Sequence, residues 1–135
     1  MTLLELTVVI AVLLGLLSIL FIGAKTWKRG ADRTGCVMNI RNVQHAIRSY
    51  QNLEDYAQGE SLRGLEAGKN LLEAVNDKGF LSTNLYQVAK GEHPCPGNGT
   101  CECLETNAFP EVGTLFMNCS LSTSDQHLPS RHTDW

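Results

Sequence analysis

Nineteen consecutive uncharged residues, Leu6 to Ala24, follow a single carboxylate at Glu5. An apolar run of that length can cross a bilayer as one helix. It commits about 25 residues to a stem and leaves roughly 110, enough for one small domain but not two. An acid at the centre of a membrane helix costs about 2.5–3.5 kcal/mol on insertion scales, so an intramembrane carboxylate is read as functional and as having a partner. No Lys, Arg or His precedes Leu6, and the nearest cation in sequence is the amino group of Met1, protonated near neutral pH. Positions 1 and 5 can approach each other within one helix. Parallel helices with a small axial stagger instead bring Glu5 of one copy to Met1 of the next, which specifies an assembly. The plainer alternative is a signal anchor whose acid lies near the interface, where it costs little.

The flanking charges bear on that choice. Lys25, Lys28, Arg29 and Arg33 follow the apolar run and nothing basic precedes it. The positive-inside rule would then put the C-terminal part in the cytoplasm. Five cysteines, Cys36, Cys95, Cys101, Cys103 and Cys119, fit an oxidising compartment better. The conflict disappears if Met1 is a processed end from which a short basic leader has been removed. The basic cluster either binds lipid head groups and acidic neighbours or simply marks the membrane boundary, with Trp27 as an interfacial anchor.

The stretch Thr2-Leu3-Leu4-Glu5-Leu6-Thr7-Val8-Val9-Ile10-Ala11 resembles the class III signal of type IV pilins and of type II secretion pseudopilins, usually written F-T-L-I-E-L-x-V-V-I-A. The resemblance covers about the first fifty residues. It implies cleavage by a prepilin peptidase after a Gly, N-methylation of Met1, and assembly by an ATPase with an inner-membrane platform. Two positions depart from the pattern: Met1 stands where Phe is commonest, and Ile22 where many pilins have a kinking proline. Without that proline the stem is expected to be straighter, although Gly15, Ser18 and Gly23 weaken it locally. The segments Cys36-Val37-Met38-Asn39-Ile40-Arg41, Cys95-Pro96-Gly97-Asn98-Gly99-Thr100, Gly113-Thr114, Cys119-Ser120 and His127-Leu128-Pro129 are also similar to pilin-like proteins of environmental bacteria. Cys101 and Cys103 lie outside that pattern.

Beyond the stem, Cys36, Ile40, Val43, Ile47 and Tyr50 recur at helical spacing as one apolar stripe, opposite a polar face of Arg41, Asn42, Gln44, Arg48 and Gln51. A helix from Thr2 to Asn52 would be about 75 Å long at 1.5 Å per residue. Gln58 to Gly68 reads as a glycine-containing loop. Lys69 to Lys78 reads as a short helix with Leu71, Leu72 and Val75 inward and Gly79 as its stop. Leu85 to Ala89 is predicted to be a strand, and Thr100 to Thr106 and Gly113 to Leu121 two more, joined by a loop containing Pro110. Ser122 to Trp135 is predicted to be an irregular polar tail.

Folding the last two strands about residues 109 and 110 sets Cys101 near Met117 and Cys119 near Gly99, beside Cys95. A Cys95 to Cys119 disulfide follows, worth about 3 kcal/mol in the chain-entropy estimate. Cys36 faces the head and can join Cys101 or Cys103. Cys101 and Cys103 lie on one face of a strand, a poor geometry for bridging each other. Five is odd, so one thiol stays free or pairs between subunits. The competing chemistry is zinc, for which His93, Cys95, Cys101, Cys103 and Cys119 offer an imidazole and thiolates, with His93, Cys101 and Cys103 as the candidate ligand set. The spacing lacks the C-x2-C knuckles of the strong zinc motifs. There is no phosphate loop, nucleophile elbow or haem motif, no cofactor is called for, and a net charge of -3 gives no basic field for nucleic acid. Asn98-Gly99-Thr100 and Asn118-Cys119-Ser120 match the N-glycosylation triplet, which is common by chance.

The chain therefore reads as an α+β, type IV pilin-like protein. Residues 1–52 form a stem helix, with 1–24 as transmembrane segment or filament core, and residues 53–135 form a small antiparallel head. Its expected role is a non-enzymatic pilus subunit, in the inner membrane before assembly and at the cell surface afterwards. The alternatives are a secretion pseudopilin in the periplasm and a membrane-anchored monomeric domain that binds a metal or ligand.

Overall fold

A computed structural model describes residues 2–135. The predicted stem is one uninterrupted helix, α1, Leu3–Leu53. Residue contacts divide the chain into two compact units, Met1–Ala31 and Asp32–Trp135. The helical turns from Asp32 onward thus belong with the head, whereas the sequence division at 52 and 53 marks only where the helix ends.

In the first unit, every residue from Thr2 to Ala31 is exposed. The helix contains a window of mean hydropathy 2.8 and is long and apolar enough to cross a membrane. The hydroxyls of Thr7, Ser18 and Thr26 are each satisfied within the helix. Thr7 donates to the Leu4 carbonyl at 2.9 Å, Ser18 to Leu14 at 2.8 Å and Thr26 to Ile22 at 3.3 Å, as hydroxyls in apolar helices do. Gly15 and Gly23 lie inside the helix without interrupting it.

In the second unit, the stripe Cys36, Ile40, Val43, Ile47 and Tyr50 is buried as its spacing predicts. The face expected to be polar is not wholly solvated, however: Gln44 and Gln51 are buried as well. Gln44 donates to the Thr114 carbonyl at 3.1 Å and accepts from the Phe116 N–H at 3.0 Å, so one amide satisfies both polarities of the incoming chain. Arg48 collects carbonyls at 2.6 Å from Pro110, 2.9 Å from Glu111 and 3.2 Å from Trp135.

Helix α2 spans Leu71–Asp77, capped by the Asn70 side chain accepting from the Leu72 N–H, and it buries Leu71, Leu72 and Val75 as expected. Gly79, at φ +79°, follows it as a stop. Leu85 to Ala89 is not a strand. It lies in a third helix, α3, Thr83–Ala89, whose start is capped by the Ser82 hydroxyl and whose Val88 and Ala89 are buried.

The sheet has two antiparallel strands, β1 Cys101–Cys103 and β2 Met117–Cys119, both shorter than predicted. Their register pairs Cys101 with Cys119 and Cys103 with Met117, two residues away from the pairing expected from a turn at 109 and 110. The link between the strands is no tight hairpin. Phe109 is drawn into the core, its N–H bonding Glu60 at 2.9 Å. It packs there with Tyr56 at 4.8 Å between ring centroids and with Tyr50 at 5.9 Å. The C-terminal tail is irregular but docked: Arg41 stacks 5.5 Å from the Trp135 ring centroid, and His127 is fully buried.

Candidate functional site

Two places carry chemistry. At the start of the stem, the Thr2 N–H donates to the Glu5 carboxylate at 2.9 Å and the Glu5 N–H to the Thr2 hydroxyl at 3.4 Å. This is a reciprocal capping box, and the spacing T-x-x-E announces it in the sequence. It supplies Glu5 with a partner inside its own helix. Met1, expected to be the N-methylated terminus and the counter-charge, lies outside the described residues.

The second place is in the head, where four elements converge. The α1 stripe delivers Cys36, and the turn before β1 delivers Cys95. Strand β2 delivers Cys119, and the docked tail delivers His127. Two close approaches bring them together. A Cβ on Gly35, one position before Cys36, would stand 3.0 Å from the Pro96 ring, and one on Gly97 would stand 2.5 Å from the His127 ring. The missing side chains allow the Cys95 turn to lie against the helix and the imidazole to lie against the turn. That turn is closed by backbone bonds of 2.8 Å from Cys95 N–H to Gly99 and from Asn98 N–H to Cys95. Gln126, at φ +54°, holds a left-handed conformation next to His127, a local strain of the kind that accumulates at functional sites.

One ligand atom from each of Cys36, Cys95, Cys119 and His127 lies within 4.8 Å of the others, and all four residues are buried. The Cys95 and Cys119 sulfurs, the pair expected to be bridged, are 3.6 Å apart as thiols. Cys101 borders the same cluster. The mutual contact of the Cys36 and Cys101 thiols raises Cys36 and pulls the Cys101 thiol down to about 7. Burial raises Cys119. Both ring nitrogens of His127 are buried without a hydrogen-bond partner. The Asp125 carboxylate is 3.4 Å from Nε2 but outside hydrogen-bond geometry.

The other predicted residues fall elsewhere. Cys103 is half-buried beside Leu72, Tyr86 and Lys90 in an open cleft, with burial pushing its thiol up to about 12. Of the two partners expected for Cys36, Cys101 is the one in contact. His93 is exposed. The ligand set His93, Cys101 and Cys103 is therefore corrected: the group the fold assembles is Cys36, Cys95, Cys119 and His127. His127 was visible in the sequence only as part of the His127-Leu128-Pro129 resemblance, because a lone histidine in a polar tail carries no periodic sign of burial.

No protein-family model matches this chain, and no curated protein or solved structure does. Its chemistry is therefore read from its own residues.

Proposed function

We propose that this chain is a structural subunit of an extracellular, type IV pilus-like filament, polymerised through the stem with the head outermost. The observation that carries the reading is the bare stem, in which every residue from Thr2 to Ala31 is exposed within an apolar helix of hydropathy 2.8. In water such a surface forfeits about 25 cal/mol per Å² of apolar area. Lipid before assembly and the stems of other copies after it are the environments that cover it. The partners are further copies of the chain and, earlier, the inner membrane, a prepilin peptidase and an assembly platform with its ATPase. The role is mechanical, with no catalytic residue or cofactor. A pseudopilin of type II secretion would share the same stem and differ in where the polymer ends. A further reading is a membrane-held domain that stays single and binds a metal, for which the buried thiol and imidazole group supplies the donors.

Two variants separate charge from capping. Gln can replace Glu in a capping box, so Glu5→Gln keeps the helix start and removes the negative charge, whereas Thr2→Ala removes the cap and keeps the charge. The expected outcome, by electron microscopy of sheared fibres and by N-terminal sequencing, is normal processing in both and a large loss of fibres only in Glu5→Gln. Full fibre yield from Glu5→Gln would refute charge-directed assembly. A wild-type chain found only as monomers in detergent would favour the single anchored domain.

A further inference from the structure

The thiol and imidazole cluster is more than a set of disulfide halves. A tetrahedral zinc site with Zn–S distances near 2.3 Å has sulfur-to-sulfur edges of about 3.8 Å, and three cysteines with one histidine form a common closed set. The Cys95 and Cys119 sulfurs stand at 3.6 Å, and the whole group lies within 4.8 Å, so closing on an ion requires movements of about 1 Å or less. Both ring nitrogens of His127 are buried without a hydrogen-bond partner, and an orphaned buried polar atom costs about 1–3 kcal/mol. A ligated metal would satisfy one of the two ring nitrogens, and the Asp125 carboxylate lies 3.4 Å from Nε2, where a small shift would let it orient the ring as carboxylates do for ligating histidines. Donors from helix, turn, strand and tail meet at one point, so the ion would tie together segments that share little regular structure.

We propose that Cys36, Cys95, Cys119 and His127 form a structural site for a soft divalent cation, zinc foremost, with Cys101 hydrogen-bonded at its border. The site lies wholly in the head and stands independently of what the stem assembles into. Ligation releases thiol protons to solvent and changes no oxidation state. It also excludes a Cys95 to Cys119 disulfide in the same molecule.

The test uses the full chain in detergent, purified without added reductant and then, in parallel, reduced and titrated with cobalt(II) followed by zinc(II). The expected result is about one zinc per chain as isolated, by metal analysis, in keeping with a single tetrahedral site. In the titration, tetrahedral thiolate–cobalt bands should appear at a 1:1 endpoint and be displaced by zinc. His127→Ala and Cys119→Ser should weaken cobalt binding at least tenfold, while Cys103→Ser should leave it unchanged and report that the fold tolerates loss of a thiol. Three results would each overturn the proposal: a wild-type chain that binds no metal when reduced and folded, isolated chain whose peptides carry a Cys95 to Cys119 disulfide, or binding lost in Cys101→Ser but kept in His127→Ala. The last would move the fourth ligand from imidazole to sulfur.

Discussion

Gln44 occupies the helix face that composition marks as polar, yet it is buried and bonded to both Thr114 and Phe116. Periodicity separates apolar from polar positions but cannot tell a solvated glutamine from one that satisfies a passing backbone, because that depends on a segment 70 residues away. Gln44→Leu should leave the buried Phe116 N–H unpaired and cost about 1–3 kcal/mol, read as a lower urea midpoint. Tyr50 was legible as core, and its burial has a pH consequence that the sequence did not announce. The phenol is pushed from 10.0 up to about 12 by burial, with smaller contributions from neighbouring Tyr56 and acidic groups. An unfolded tyrosine gives up its proton near pH 10 while the folded one keeps it, so the folded state is disfavoured as pH rises from 10 to 12. The loss accrues at about 1.4 kcal/mol per pH unit. Unfolding free energies measured from pH 9 to 12 should show this decline, and Tyr50→Phe should lessen it above pH 10, leaving the part that comes from the raised thiols.

The elements divide into those whose signals are local and those that depend on distant chain. The α1 stripe and α2, with its glycine stop, carry their own periodicity and caps, and both were legible. Helix α3 carried the same kind of signal, Ser82 before apolar residues at 85, 88 and 89, but a run this short fits either period, and the cap decides it. Ser82→Ala should therefore cost about 1 kcal/mol and lower the melting temperature by a few degrees. A stability unchanged by that variant would mean that packing of Val88 and Ala89 alone holds the helix. The strand register was misread for a non-local reason. Phe109 leaves the expected turn to join the Tyr50 and Tyr56 rings, lengthening the connection and placing Cys101 opposite Cys119. That two-residue difference sets Cys101 at the edge of the cysteine group, opposite Cys119, and leaves the half-buried Cys103 opposite Met117. Long-range packing thus decides which thiols meet, and the meeting at His127 was the part of the candidate site least visible beforehand.

The distribution of burial across the chain separates what makes the protein fold from what would make it assemble. Among the described residues, the hydrophobic core runs from Cys36 to Cys119, with His127 and Pro129 buried beyond it, all within the unit Asp32–Trp135, whereas Thr2 to Ala31 bury nothing. The unit Asp32–Trp135 holds its own core, so its folding is expected to need no residue of the stem. A chain shortened to begin at Asp32 should remain folded, because the α1 segment that carries the stripe is retained with Gln44 and Arg48. It should also be soluble without detergent, because the hydropathic window has gone. The check is circular dichroism together with light scattering: a cooperative melt and a monomeric mass are expected for the shortened chain, against detergent dependence or polymer for the full one. A shortened chain that stays unfolded would mean that the first 31 residues contribute to the core. One that still polymerises would place the assembly surface in the head, and the acid at Glu5 would then be a helix cap and no more.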